Sequence, residues 1–302
     1  MRSMAPIQIV LAVDRRHVTG CSVTMQSVLE NVNPASALHF HVAVDGISAR
    51  DRARLMATVV PRATLEFWEF DRSRVLHLTR SRIISHSAYA RFFVGEIVPP
   101  GESRCIYLDS DLIVERDVSE LRGFPLDGRT LGAVENLWAE EQAEHQARLG
   151  LSAPRYFNSG VLLIDLERWR ARDVMRRALD AGARLGHDLI LHDQDALNCT
   201  LDADWVALPS AWNVAVFNPA LTGESAAVFH YMGAPKPWEV DYDGPFAEKF
   251  VKYLRLSPYA EVRPWNPAGL GRMLARMRRR LPSLGGTLRV LERRLRSPRN
   301  AG

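Results

Sequence analysis

Residues 104–114 read Arg-Cys-Ile-Tyr-Leu-Asp-Ser-Asp-Leu-Ile-Val. An apolar strand here runs into two carboxylates, Asp109 and Asp111, with only Ser110 between them, and the chain turns apolar again at once. In an open α/β sheet the ligand lies outside the carboxyl ends of the strands. Two acids at such an end repel each other unless a cation sits between them. A hard divalent ion, Mn²⁺ or Mg²⁺, meets that need and leaves positions open for phosphate oxygens. The segment therefore predicts a metal–diphosphate site, a description that also suits a phosphatase or a nucleotidyltransferase.

Upstream, the same kind of strand recurs. Ile7–Val13 is a continuous apolar run, as expected of a strand covered on both faces. Thr19 is placed to cap a helix reaching about Val32, with Val28, Leu29 and Val32 on one face. Strands follow at Leu38–Asp45 and Ala63–Phe70, separated by a helix over about 49–60 that Ser48 caps, and a helix around Ser87–Ile97 ends at Pro99-Pro100. This alternation predicts an α/β fold with a mostly parallel sheet and helices on both faces. Downstream the rhythm loosens. Strands are expected at Leu131–Glu135, Gly160–Asp165 and Trp205–Pro209, and helices at Glu167–Leu185, Asp193–Leu201 and Pro245–Leu256. Residues 210–245, rich in Asn, Pro, Gly and Trp, read as a loop region closing over a site.

Composition narrows the field. The 302 residues are 47% apolar and 25% charged, enough for a substantial core without disulfides. Cys21, Cys105 and Cys199 are far apart and form no CxxC, which excludes a cysteine-based zinc site and suits a reducing compartment. The basic-then-apolar N-terminus has a run of only about seven apolar residues and reads as a buried strand, not a secretion signal. No stretch reaches the roughly 18 apolar residues of a spanning helix. The net charge of +4 hides a division: residues 263–302 carry 11 Arg, no Lys and one acid, Glu292, a net of +10, so the rest is at −6. The expected domains are thus a body, 1–262, and a basic tail. In that tail Leu270, Met273, Leu274, Met277 and Leu281, then Leu288, Leu291 and Leu295, fall at helical spacing among the arginines. Two short amphipathic basic helices suit an anionic membrane surface through residues 267–302. The Arg-rich part lacks interleaved aromatics, which argues against nucleic acid as partner.

Six ordered segments then carry a resemblance: IVLAVD (9–14), SAYAR (87–91), YLDSDLIV (107–114), FNSGVLLIDLERWR (157–170), HDQDALN (192–198) and FHYMGAPKPW (229–238). Over about Ile7–Trp238 the chain resembles glycosyltransferase family 8, which includes bacterial lipopolysaccharide glucosyl- and galactosyltransferases and the glycogenins. The resemblance implies a glycosyltransferase A-type, Rossmann-like fold and transfer of a hexose from a UDP-sugar to the hydroxyl of a glycan or glycolipid acceptor, with retention of configuration. It implies that Asp109, Asp111 and His230 hold Mn²⁺ or Mg²⁺, and that Asp14, Arg91, Ser110, Asn158 and Gly233 contact the nucleotide sugar. Asp193 would hold sugar hydroxyls, Gln194 would lie at the reacting centre, and Asp195 would support them. Lys236 supplies a point charge for phosphate, and Gly233 lets backbone approach an anion. Two departures bear on specificity: Arg15 and Arg16 follow Asp14 where relatives often place another acidic or polar residue, and Asn136 stands where relatives often carry an acid or another polar sugar contact. The expected location is the cytoplasmic face of a membrane. The competing expectations are a metal-dependent nucleotidyl- or phosphotransferase and a non-catalytic sugar-nucleotide or RNA-binding protein.

Overall fold

A computed structural model describes residues 5–79, 85–136, 140–152, 155–217, 226–239, 242 and 244–262. The expected tail helices of 263–302 lie outside the described residues, as does part of the 210–245 region. Strand β1 (Ile7–Asp14) is buried along its whole length. Helix α1 (Val18–Asn31), strand β2 (Leu38–Asp45), helix α2 (Ala49–Val59) and strand β3 (Thr64–Glu69) follow. A 3-10 segment at His86–Phe93 runs into one α-turn, α3 (Val94–Ile97), and then strand β4 (Arg104–Leu108). Beyond it come β5 (Leu112–Val114), α4 (Val118–Arg122), β6 (Leu131–Glu135), α5 (Glu140–Leu149) and β7 (Phe157–Asp165). The chain continues through α6 (Leu166–Ala171), α7 (Val174–Leu185), α8 (Asp193–Thr200), β8 (Trp205–Ala207), β9 (Val214–Ala215), β10 (Val228–His230) and α9 (Ala247–Leu256).

The main sheet has the order β3-β2-β1-β4-β7-β6-β8. Its pairs are parallel except at β7, which runs antiparallel to both β4 and β6. Strand order reverses at β1/β4, so the carboxyl ends of these two strands flank the crevice where α/β sheets take their ligands. A three-stranded sheet, β5-β10-β9, stands beside it and pairs His230 with Leu112. Helices cover both faces. Val23, Val28, Leu55, Phe250 and Leu254 pack with Leu11, Phe40 and Val42 on one side. On the other, Phe92, Phe93, Trp169, Ala178 and Leu197 pack with Val10, Tyr107 and Leu162.

Several local expectations are corrected. Thr19 does not cap α1: the helix starts at Val18, with His17 in the capping position and no side-chain cap. Ser48 does cap α2, accepting from the Asp51 N–H at 3.1 Å. The helix expected at 87–97 is mostly 3-10, because Tyr89, Ala90, Arg91, Phe92 and Phe93 are all buried and tertiary contacts override the α-helical repeat. The long helix expected at 167–185 breaks at Asp173, whose backbone is left-handed (φ 48°). Strand β7 begins at Phe157, three residues before the expected start, so Gly160 lies inside the strand. Cys105 is a small buried residue within β4.

Candidate active site

A cleft of about 430 Å³ opens at the carboxyl ends of β1 and β4. Asp14 ends β1 and lines it, as do Asp109, Ser110 and Asp111 beyond β4. Strand β7 contributes Asn158, helix α8 contributes Asp193 and Gln194, and the segment from β10 onward contributes His230, Gly233 and Lys236. Arg91 reaches the same cleft from the 3-10 segment. Asp195 does not line it.

The acids and His230 converge. Their ligand atoms lie within 4.8 Å of one another. Asp109 Oδ1 accepts from Arg91 Nη2 at 2.8 Å and from the Tyr107 hydroxyl at 3.0 Å, leaving Oδ2 turned toward His230 Nε2 at 3.8 Å. Asp111 Oδ1 stands 3.4 Å from the same nitrogen, and its Oδ2 accepts from Lys236 Nζ. Burial works to raise the Asp111 pKa, but Lys236 and His230 outweigh it and hold the carboxyl well below the ordinary range. Tyr231 N–H donates to the Asp111 carbonyl at 3.0 Å, and pairing of β10 with β5 carries His230 across to the acids.

The ring of His230 has one orientation open to it. Gly160 N–H donates to Asn158 Oδ1 at 2.9 Å, which fixes that amide. Asn213 Nδ2 donates to the same oxygen at 2.8 Å, so Asn213 presents its Oδ1 to His230 Nδ1 at 2.9 Å. Nδ1 therefore carries a hydrogen, and Nε2 is the nitrogen left facing the two acids. This is the outer support a metal-binding imidazole requires. Two carboxylates and an imidazole lone pair, together in a partly enclosed cleft, fit a small divalent cation. Asn213 had no signal in the sequence; only the fold carries it 55 residues back to Asn158.

A second buried network holds α8. Arg91 is clamped on protein oxygens, with Nε on Asp193 Oδ2 at 2.9 Å and Nη1 on the Ser159 carbonyl at 2.7 Å. Its guanidinium, expected on the nucleotide sugar, thus ties Asp109 to Asp193. Gln194 Oε1 accepts from Ser159 N–H at 2.9 Å, and its Nε2 donates to the Tyr156 hydroxyl at 3.1 Å. Tyr156 donates in turn to Asp195 Oδ1 at 2.5 Å, which also faces His145 Nε2 at 2.7 Å. Asp195 Oδ2 accepts the N–H groups of Ile190 and Leu191 at 2.7 and 2.8 Å. Asp195 is fully buried, so its support of the cleft is indirect, through Tyr156 and the 190–191 backbone. Asp193 does not cap α8; His192 occupies that position without a side-chain bond. Burial pushes the Asp193 carboxyl up to about 6 despite Arg91.

At the nucleotide end, Asp14 Oδ1 accepts from His17 Nδ1 at 2.7 Å and Arg16 N–H at 2.9 Å. These bonds outweigh burial and lower its pKa well below the usual range. Arg15 turns away to the Gly46 carbonyl. Gly233, left-handed at φ 76°, has open space where a Cβ would stand.

The family model for glycosyl transferase family 8 matches residues 8–241. The chain belongs to glycosyltransferase family 8. It is 28% identical over 272 residues to general stress protein A of Bacillus subtilis, covering 84% of this chain and 93% of that one. It is 27% identical to the lipopolysaccharide 1,3-galactosyltransferase of Salmonella typhimurium, covering 86% and 81%. Among solved structures, the galactosyltransferase LgtC in complex with donor and acceptor sugar analogs superposes with a TM-score of 0.76 at 27% identity, covering 83% of this chain and 96% of LgtC. The fold of this family 8 glycosyltransferase is accordingly the A-type fold of LgtC. Among the described residues, no helix is long and apolar enough to cross a membrane.

Proposed function

We propose that this family 8 glycosyltransferase moves glucose or galactose from a UDP-sugar to an acceptor hydroxyl of a lipopolysaccharide or related cell-surface glycan, with retention and with Mn²⁺ or Mg²⁺. The observation that carries this reading is the Asp109–Asp111–His230 cluster, with the imidazole Nε2 turned toward two acids, in one cleft with Lys236, Asp193 and Gln194. The name of the Salmonella relative supports the acceptor class. Asp109, Asp111 and His230 would hold the cation, whose positive charge would offset the charge on the leaving UDP. Lys236, lining the same cleft, adds a second positive charge for that phosphate. Asp14 is ionised and accepts hydrogen bonds from base or ribose. Asp193 accepts from sugar hydroxyls.

Gln194 bears on stereochemistry. An amide is weakly basic, and both ends of this one are already engaged, by Ser159 and Tyr156. That supports front-face attack, with the leaving phosphate taking the acceptor proton, over a covalent sugar–enzyme intermediate of the glycosidase kind. The +10 charge of 263–302 supports a station on an anionic, cytoplasmic membrane face.

The test is UDP release from a panel of UDP-sugars, with Mn²⁺ or Mg²⁺ and no acceptor. Slow hydrolysis of UDP-glucose or UDP-galactose, abolished by chelator, is the expected result. Release of pyrophosphate, or ligand binding without hydrolysis or transfer, would point to the competing readings.

Asp193→Asn separates chemistry from stability. The folded carboxyl titrates near 6 and the free one at 3.8, so between these values the folded chain holds a proton that the unfolded chain has released. The stability this group supports is full below the lower value and falls as pH rises through the upper one. The melting temperature of Asp193→Asn relative to the parent should therefore climb across that window and level off above it. UDP-sugar turnover should fall by about 10²-fold or more through lost sugar positioning. A melting difference that does not change with pH would refute the titration, and unchanged turnover would refute the sugar-holding role.

A further inference from the structure

Away from the cleft, strands β1, β2 and β3 place a second set of donors on one face of the sheet. His39 and His41 alternate along β2, and the register sets Gln8 opposite His39 on β1 and Glu66 opposite His41 on β3. The two rings stack, centroids 4.3 Å apart and 10° from parallel. One carboxylate oxygen of Glu66 lies 3.7 Å from His39 Nε2 and the other 3.9 Å from His41 Nδ1, both too long for hydrogen bonds. Ligand atoms of the three residues lie within 4.8 Å of one another. Four residues, at about 3.3 Å each, separate His41 from the cleft end of β2 at Asp45.

Two features mark this group as more than a surface ion pair. His39 Nε2 is buried and has no hydrogen-bond partner. An orphaned polar atom of that kind destabilises the fold until a partner satisfies it. The tautomer of His41 is also assigned. Gln8 Nε2 donates to the Pro6 carbonyl at 3.3 Å, which turns Gln8 Oε1 toward His41 Nε2 at 2.7 Å. Nε2 therefore carries the hydrogen, and Nδ1, on the Glu66 side, is bare. A carboxamide oxygen fixing one ring nitrogen so that the other can donate is how metal-binding histidines are oriented.

We propose that His39, His41 and Glu66 form a second metal site, separate from the catalytic cleft, that takes a borderline divalent transition metal, Zn²⁺ foremost. Two imidazoles and one carboxylate are a zinc donor set, with bond lengths of about 2.0–2.2 Å. An ion there draws the three groups together, tilts the stacked rings toward it, gives His39 Nε2 its missing partner and ties the edge strand β3 to β2. The oxygen-rich Asp109–Asp111 pair favours Mn²⁺ or Mg²⁺, so the two sites differ in metal preference.

The experiment uses the full-length, tag-free chain carrying Asp109→Asn and Asp111→Asn, which disables the cleft site, with Zn²⁺ alone as probe. Calorimetric titration should show one equivalent of Zn²⁺ bound, and Zn²⁺ should raise the melting temperature. Adding Glu66→Gln, a change at a side chain 63% exposed and so safe for folding, should weaken that equivalent by at least about 10-fold and remove the thermal shift. His39→Gln should do the same. Absence of Zn²⁺ binding in the cleft-disabled chain would overturn the proposal. So would binding that Glu66→Gln and His39→Gln leave intact. Neither result touches the glycosyltransferase reading, which rests on the cleft residues.

Discussion

Asp111→Asn is expected to reduce metal-dependent UDP release by about 10³-fold or more, the scale on which one well-placed electrostatic partner acts at a reacting centre. The substitution keeps the shape of the side chain and removes its charge. In the parent, one oxygen of this buried carboxylate faces His230 Nε2 and the other accepts from Lys236. Asparagine leaves a cation only one anionic ligand, Asp109, which already shares an oxygen with Arg91. Lys236 loses its acidic partner as well. Its ammonium keeps the Tyr231 carbonyl at 2.9 Å and lines an open cleft, so it has water to turn to, and the fold should survive. The checks are UDP release across a Mn²⁺ titration and the melting temperature of the variant. A rise in the Mn²⁺ needed for half-maximal rate, with a cooperative melt preserved, is the expected outcome. Turnover within tenfold of the parent at saturating Mn²⁺ would remove Asp111 from the metal site.

The architecture was legible where hydrophobic period and position agree. Continuous apolar runs such as Ile7–Val13 reveal strands because a strand buried on both faces has no alternation to show. Strand direction has no such trace: β7 reads like its neighbours, yet it runs against β4 and β6. Helical repeat was equally blind to the 3-10 winding at His86–Phe93, where burial on nearly every side and the pull of Arg91 toward Ser159 set the backbone. The break at Asp173 lets Trp169 of α6 and Ala178 of α7 enter one core, a demand that residues 167–185 do not announce by themselves.

In the site, the side chains that face the cleft were legible, and those that hold them were not. Asp109 and Asp111 stand out because two acids at a strand end need a cation. Asn213, Tyr156 and Ser159 act by hydrogen bonds to residues distant in sequence, so no spacing rule reaches them. Two visible residues show how they act only in the fold. Asp195, expected to support Asp193 and Gln194, gives its oxygens to the Tyr156 hydroxyl and two backbone N–H groups. Gly160, expected to open its strand, lies inside it, and its purpose is space.

That space makes Gly160→Ala a sharp probe. The residue lies within β7 and is absent from the positive-φ glycines, so alanine meets no backbone penalty there. The obstacle is what a Cβ would strike: His230 Cε1 at 2.3 Å, His230 Nδ1 at 2.8 Å and Asp109 Oδ2 at 2.9 Å. Neither neighbour is a loose chain end. His230 is pinned through Nδ1 by Asn213, and Asp109 through Oδ1 by Arg91 and Tyr107. The added methyl must push the ring off Asn213, shift Oδ2, or displace β7. Overpacking of this kind costs about 1–3 kcal/mol. At about 2–4 °C per kcal/mol for a domain of this general size, the melting temperature should fall by several degrees without loss of the fold. The effect on the metal should be larger in proportion, because the tautomer and aim of His230 depend on the contact that the methyl breaks. Loss of such a support typically costs about 10–100-fold in metal affinity or activity. Mn²⁺ affinity and UDP release should thus fall together in Gly160→Ala. A variant that is destabilised by the expected amount but keeps parental Mn²⁺ affinity would show that His230 is packed beside the acids and does not bind metal with them.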